Sequence, residues 1–246
     1  MSSSNNQNST VKNIDEIEIK IENRLIFRSE YYVPRVPVLI KGGAKDWDLI
    51  TKWNKEYLSE HCGHYPCTVV CDSRPAFSKE RSTLKKYFAN HKGNSTLTLQ
   101  AFDKKNTPLY FQDIPIPNPL FSRSDIYRFF FYHSHKDEGT LPHNHGDAFN
   151  ILQSGTKHWI FYDAKTETNP EGRKHMMEMM KKYPPGSQAR DFFEKELKST
   201  LLDIPNTQQC IQQAGDIVYV PREYCHSVLN QSEVMGIVFE TKILTR

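Results

Sequence analysis

The chain has 246 residues, of which 37% are hydrophobic and 12% aromatic. This composition excludes a chain that is disordered throughout, because it supplies enough apolar surface for a sizeable core. Its 32 basic and 29 acidic residues leave a formal net charge of +3. That excess is too small to predict nucleic acid or an anionic membrane as the main partner.

The apolar runs, the N-terminal residues and the cysteines predict the cellular compartment of the protein. No apolar run approaches the roughly 18 residues of a membrane-spanning helix. The Ser/Asn-rich start lacks the basic-then-apolar order of a secretory signal. Five cysteines without framework spacing favour reduced thiols over disulfides. We therefore expect a cytoplasmic or nuclear protein without a membrane span.

The first half of the chain alternates predicted strands and helices. Residues 1–12 are polar and of low complexity, which predicts a disordered tail, and residues 13–246 are predicted to form one domain. Hydrophobic periodicity then predicts the elements. They are strands at 14–21, 36–40, 66–71 and 97–102, and helices at 53–62 and 82–91.

The second half is predicted to be mostly β. Short strands are expected at 127–132, 150–153, 158–162, 217–220 and 234–240. A charged, Met-rich insert at 166–202 interrupts them, with helices expected at 175–182 and 189–198. Short strands with turn signals and flanking helices indicate a β-sandwich or barrel. Its metal-binding core is predicted to span 125–246.

The strongest chemical signal is the run L-P-H-N-H-G-D, in which His143, His145 and Asp147 alternate. On a strand, alternate residues face the same side. Downstream, the run G-D-I-V-Y-V-P predicts a turn and strand that lead to His226. Two nearby ligands and one distant histidine form the facial triad typical of Fe(II) sites with open coordination positions. The spacing alone leaves ordinary polar strand surface as an equal alternative.

Three segments, in the same order along the chain, resemble the JmjC family of cupin-like hydroxylases and demethylases. They are RVPVLIKG followed by KDW (35–47), NILQSGTKHW (150–159) and GDIVYVPREYCHSVLN (215–230). The resemblance implies a mainly β double-stranded β-helix with flanking helices. It also implies that the domain holds Fe(II) and uses 2-oxoglutarate and O2.

The resemblance also implies roles for individual residues. His226 matches the distal iron ligand of the family. Lys157 matches the lysine that pairs with the far carboxylate of 2-oxoglutarate, a task suited to a compact ammonium on a flexible stem. Asn150 and Thr140 match residues that line the co-substrate pocket.

Two registers remain for the proximal ligands. In the first, His145 and Asp147 supply the family's His-x-Asp motif, and the metal set is His145, Asp147 and His226. In the second, Thr140 lies three residues before the first ligand, and the set is His143, His145 and His226. The second set has no carboxylate, which puts ordinary 2-oxoglutarate turnover in doubt. We prefer the first register slightly.

The function expected from this resemblance is Fe(II)- and 2-oxoglutarate-dependent dioxygenation. The substrate is expected to be a protein or another macromolecule, with hydroxylation favoured over demethylation. Two alternatives stay open: a catalytically inactive JmjC-fold scaffold, and a three-histidine cupin-type metalloprotein that does not use 2-oxoglutarate. A homodimer is a further option that the resemblance leaves open.

Overall fold

The computed structural model describes residues 11–18, 24–71, 78–90, 95–100, 113–115, 120, 125–164, 169–184, 187–197 and 206–242. Within these ranges the chain forms short helices and many strands. The strands are β1 Lys12–Asn13, β2 Asp15–Ile17, β3 Val38–Ile40, β4 Pro66–Cys71, β5 Ser78–Thr83, β6 Ser95–Gln100, β7 Ile126–Ser134, β8 Gly139–His143, β9 Ala148–Ser154, β10 Thr156–Asp163, β11 Gln208–Gln213, β12 Ile217–Val220, β13 Tyr224–Asn230 and β14 Val234–Thr241. The helices are α1 Arg24–Phe27, a π-helical turn Arg28–Tyr32, α2 Asp48–Lys52, α3 Lys55–His61, α4 Leu84–Asn90, α5 Pro170–Lys182 and α6 Ala189–Glu196.

The strands form two sheets. One has the order β1-β11-β10-β13-β8, and the other has the order β2-β3-β12-β9-β14-β7-β6-β4-β5. All pairings are antiparallel except β1 with β11 and β2 with β3. Antiparallel strands that alternate between two sheets give the mainly β, cupin-like fold that the sequence predicts, and this prediction is confirmed.

A glycine turn before β12 places this strand beside the segments that carry the resemblance. Gly215 has φ +86°, a conformation that a residue with a Cβ rarely adopts. The carboxylate of Asp216 then accepts hydrogen bonds from the backbone N–H groups of Gly42 and Gln213, at 2.9 Å each, and from Lys41 Nζ at 2.8 Å. β12 pairs with β3 on one side and β9 on the other. The parts of the three segments that form β3, β9 and β12 are therefore neighbours in the nine-stranded sheet.

Helices α5 and α6 lie against β8, β10 and β13 of the five-stranded sheet. Asn169 caps α5 by accepting a hydrogen bond from Gly172 N at 2.9 Å, and Pro170 begins the helix where no N–H is needed. The apolar sides of both helices pack in one buried cluster with strand residues. Members of that cluster are Ile160, Tyr162, Met176, Met179, Phe192, Phe193 and Cys225. No helix in the described ranges is both long and apolar enough to cross a membrane.

Most predicted elements lie within a few residues of where the sequence places them, and the strand predicted at 14–21 is confirmed only in part. Within the strand predicted at 14–21, only Asp15–Ile17 forms a strand, β2, and residues 19–21 lie outside the described residues. The preceding β1, Lys12–Asn13, belongs to the other sheet. The helix predicted at 82–91 begins at Leu84, because Ser82 and Thr83 belong to β5. Of the tail predicted at 1–12, residues 1–10 lie outside the described residues. Its predicted end is wrong, because Lys12 belongs to β1 and pairs with Gln208 of β11.

Candidate active site

Three histidines converge between the two sheets. β8 ends at His143, which pairs across the ladder with His226 of β13. His145 follows two residues after the end of β8, and the ligand nitrogens of the three side chains lie within 4.8 Å of one another. Ring centroids are 4.2 Å apart for His143 and His226, and 4.7 Å apart for His145 and His226. Three imidazoles this close can share one metal ion.

Backbone carbonyls fix the tautomer of each ring. Nδ1 lies 2.8 Å from Leu141 O in His143, 2.7 Å from Gly146 O in His145, and 3.3 Å from Tyr224 O in His226. A carbonyl oxygen only accepts, so each Nδ1 carries the proton and donates it. Each Nε2 is then left with a free lone pair, the arrangement that typical metal-binding histidines have.

Burial keeps the His143 and His226 rings neutral. Desolvation lowers the pKa of His143 to about 4, with a further lowering from the nearby His145 ring. Burial likewise holds the pKa of His226 well below its usual value, and the His143 and His145 rings add to that effect. Because only a neutral imidazole can bind a metal ion, His143 and His226 are ready to act as ligands at neutral pH.

A cavity of about 280 Å³ opens beside the three histidines. Thr140, Asn150 and Lys157, which the sequence assigns to a co-substrate pocket, all line it together with the histidines. Tyr132 donates a hydrogen bond to Asn150 Oδ1 at 2.9 Å and so orients that amide. The structure therefore brings the predicted co-substrate residues and the histidine cluster into one cavity.

Lys157 is a buried cation without an anionic partner. It is 7% exposed, and no carboxylate of the described residues lies within ion-pairing distance of it. Its Nζ lies 3.8 Å from the centroid of the Tyr132 ring, a contact that stabilises a cation only in part. Burial lowers the pKa of Lys157 to about 7. A carboxylate ligand in the cavity would supply the charge that this ammonium lacks.

Asp147, which the preferred register made a ligand, has its carboxylate engaged elsewhere. Its Oδ1 accepts hydrogen bonds from Tyr219 OH at 2.9 Å and from the backbone N–H of Arg222 at 3.1 Å. The period-two argument fails here because β8 ends at His143 and the chain turns before Asp147. The structure thus brings together His143, His145 and His226, and it does not group Asp147 with them.

A family model described as "JmjC domain" matches residues 120–245. The chain belongs to the JmjC domain family. The match covers β7 to β14, and so includes every residue of the histidine cluster and of the cavity.

Curated JmjC relatives are distant. The chain is 23% identical over 240 residues to "Arginine-specific demethylase JMJ22" of Arabidopsis thaliana, covering 86% of this chain and 43% of the relative. It is also 23% identical over 252 residues to "Bifunctional arginine demethylase and lysyl-hydroxylase psr-1" of Caenorhabditis briggsae, covering 93% of this chain and 60% of the relative. The chain therefore spans about half the length of the curated relatives it matches.

A solved structure shows the same fold. The X-ray structure of E. coli ycfD matches with a TM-score of 0.56 and 15% sequence identity, over 92% of this chain and 53% of that one. At this identity the likeness concerns the fold alone.

Three cavity residues are not among the site residues predicted from the sequence. Tyr132 and Ser134 of β7 and Glu240 of β14 also line the cavity. Alternation along β7, which turns every second side chain towards the cavity, could have identified Tyr132 and Ser134 once the direction of the strand was known. Glu240 accepts a hydrogen bond from Tyr127 OH and lies 3.5 Å from Arg128. It is the acidic residue among the described cavity-lining residues.

Proposed function

We propose that this JmjC domain is an Fe(II)-dependent oxygenase that uses 2-oxoglutarate and O2. The observation that carries the proposal is the presence, in one cavity, of three convergent histidines and a buried, unpaired Lys157. In this proposal His143, His145 and His226 bind the metal. O2 would be the oxidant, 2-oxoglutarate would supply two electrons as it is decarboxylated, and the chain's own residues would bind and orient the metal and the co-substrate.

The donor set fits a first-row transition metal. Imidazole nitrogen suits iron, zinc, copper and nickel, and the Nδ1–H bonds to Leu141 O, Gly146 O and Tyr224 O hold the rings with Nε2 free. Three protein ligands would leave coordination positions open towards the cavity. Those positions are what a chelating co-substrate and a gas molecule need.

Each predicted co-substrate residue would make a contact that suits its side chain. Lys157 would pair with the far carboxylate of 2-oxoglutarate, with the Tyr132 ring packed against its ammonium. The Thr140 hydroxyl and the Asn150 amide would hydrogen-bond the same ligand. Asn150 is pre-oriented because Tyr132 already bonds its Oδ1. The apolar walls formed by Val220, Val228 and Val238 would exclude water from the reacting centre.

Asp147 would act as a positioning residue for the loop that carries His145. Its carboxylate ties that loop to Tyr219 at β12 and to the Arg222 backbone, and its backbone oxygen accepts a hydrogen bond from Thr241 N at 2.8 Å. These bonds join the ends of three strands next to the metal cluster. Loss of Asp147 would therefore loosen the site without removing a ligand.

A basic protein side chain is the substrate that the cavity favours. The two curated relatives are named for action on arginine and lysine residues. In this chain Glu240 lines the cavity and is 7% exposed. Its present partners are Tyr127 and the half-exposed Arg128, and a substrate guanidinium or ammonium could take the place of Arg128. Whether that side chain is hydroxylated or demethylated depends on where the attacked carbon lies.

A second candidate function rests on the donor set itself. Three imidazoles carry no negative charge, so the bound metal would be more positive than one with a carboxylate ligand. This favours a metalloprotein that binds iron or zinc without turning over 2-oxoglutarate. The unpaired Lys157 argues against that alternative, because a cavity without a carboxylate ligand would gain nothing from burying an ammonium.

Calorimetric titration of 2-oxoglutarate, with Mn(II) in place of Fe(II), tests the proposal. We expect metal-dependent binding in the wild type and loss of at least tenfold in affinity in Lys157→Met and His143→Ala. Asp147→Asn keeps an acceptor for Tyr219 and is the matched control, so its affinity should stay within about threefold of the wild type. Absence of metal-dependent binding by folded wild type would overturn the proposal. Loss of binding in Asp147→Asn but not in His143→Ala would restore the first register.

A further inference from the structure

A second group of metal-type side chains lies on the opposite face of β7 from the active-site cavity. Tyr132 and Ser134 face the cavity, and His133 between them faces the other way. The ligand atoms of His133, His135 and Glu233 lie within 4.8 Å of one another. His133 and Glu233 line a separate cavity of about 380 Å³. The proposed function makes no use of this group.

The strand geometry brings these three side chains together. His133 lies in β7 and His135 directly follows the strand, and their ring centroids are 5.1 Å apart. Val234 at the start of β14 pairs with Ser134, which places Glu233 across from His135. The backbone of His135 is held although it lies beyond β7: its N–H donates to Glu138 at 2.9 Å and its carbonyl accepts from Asn230 at 3.1 Å.

A cation already occupies part of this group. Lys55 Nζ of α3 lies 2.5 Å from Glu233 Oε1, and the same oxygen accepts a hydrogen bond from His133 Nε2 at 2.7 Å. His135 Nδ1 is 3.7 Å from that oxygen. His135 Nε2 is buried and, among the described residues, has no hydrogen-bond partner. Burial lowers the pKa of His133 to about 4, so this ring is neutral at physiological pH.

We propose that His133, His135 and Glu233 form a second binding site, for a divalent transition-metal ion of the zinc class. Two imidazoles and one carboxylate are a donor set that suits zinc and its neighbours in the first row. Lys55 holds the position of the cation in the metal-free protein, and the incoming ion displaces it. This site is independent of the histidine cluster in the active-site cavity.

The group can close on a metal with small movements. Zinc binds imidazole nitrogen at about 2.0–2.1 Å, so its ligand atoms lie roughly 3–3.5 Å apart, between the 2.7 and 3.7 Å seen around Glu233. The side chains of Glu233 and Lys55 are 46% and 40% exposed, so both can move. Tyr87 OH lies 2.8 Å from His133 Nδ1. Once Nε2 binds the metal, that hydroxyl can accept the Nδ1–H and orient the ring.

Zinc binding to a chain that lacks the first cluster tests the proposal. The background is the full chain with His143→Ala and His145→Ala, and equilibrium dialysis counts the bound zinc. We expect one zinc per chain in this background. Glu233→Gln and His135→Gln should each weaken it at least tenfold, and Lys55→Met should tighten it about two- to fivefold, because a competing surface ion pair is removed.

Matched controls separate ligation from general effects. His64→Gln and Glu178→Gln change exposed residues of the same types, and neither should alter zinc affinity. If the background variant does not fold, Glu233→Gln in the otherwise unchanged chain gives the answer, because stoichiometry should fall from two zinc ions to one. Zinc absent from the folded background, or retained undiminished in Glu233→Gln and His135→Gln, would overturn the proposal.

Discussion

Replacing Lys157 with methionine should make the ligand-free protein more stable. Folding at neutral pH buries the Lys157 ammonium without an anionic partner, and burial lowers its pKa from 10.5 to about 7. Because one pKa unit corresponds to about 1.4 kcal/mol, the difference amounts to roughly 4 kcal/mol of lost stability at pH 7. Methionine fills similar space against Tyr132 and has no charge to desolvate.

The pH dependence makes this prediction specific. Between about pH 7 and 10.5 the unfolded chain holds the Lys157 proton and the folded chain does not, so wild-type stability rises with pH in that window. The advantage of Lys157→Met should be largest at and below pH 7. It should shrink to roughly 2 kcal/mol at pH 9 and vanish above the unfolded pKa.

Urea unfolding at pH 7 and pH 9 measures this effect. Lys174→Met on the exposed face of α5 is the control, and we expect it to change the free energy of unfolding by less than about 0.5 kcal/mol. With Mn(II) present throughout, adding 2-oxoglutarate should stabilise the wild type and have much less effect on Lys157→Met, which keeps the metal ligands but lacks the ammonium. A Lys157→Met variant no more stable than wild type at pH 7 would show that the ammonium is solvated or paired, and would refute the reasoning.

Three further predictions concern the same cavity. The affinity for 2-oxoglutarate should be constant below about pH 7 and fall up to about tenfold per pH unit above it, because ligand-free Lys157 loses its proton. Calorimetry from pH 6 to 9 measures this dependence, and an affinity that does not change with pH would contradict it. Asp147→Ala should lower the free energy of unfolding by about 2–4 kcal/mol, because it leaves the Tyr219 hydroxyl and the Arg222 backbone N–H without an acceptor. If urea unfolding shows that Asp147→Asn loses as much stability, this cause is wrong. A Cβ on Gly236 would lie 2.4 Å from the Tyr132 hydroxyl oxygen. Gly236→Ala should therefore lower the free energy of unfolding by about 1–3 kcal/mol and weaken 2-oxoglutarate binding. Calorimetric and unfolding curves that match the wild type would exclude this packing effect.

The sequence predicts the parts of the fold that local pattern controls. β12 has the predicted bounds, Ile217–Val220, because an apolar β-rich run lies between a glycine turn and a proline. Both helices of the insert were predicted, although the first begins at Pro170, before its predicted start at 175. β11, Gln208–Gln213, was missed because Q-Q-C-I-Q-Q has little β propensity. Pairing with β10 makes it a strand.

The choice of ligand register shows where sequence reasoning stops. Alternation placed His143, His145 and Asp147 on one face only if the strand continued to Asp147. The end of β8 depends on the pairing of His143 with His226, a residue far along the chain. The second histidine group was missed for a similar reason. His133 and His135 are visible in the sequence, but only the register of β14 brings Glu233 beside them.

The measurement that tests the central claim most directly is formation of succinate from 2-oxoglutarate. The wild-type protein would be supplied with Fe(II), O2 and lysine- and arginine-rich peptides, at enzyme concentrations high enough to detect a few turnovers. The account predicts succinate that requires Fe(II) and is lost in both Lys157→Met and His143→Ala. Protein that binds Fe(II) and 2-oxoglutarate yet forms no succinate would contradict the oxygenase claim and favour a three-histidine metalloprotein without turnover.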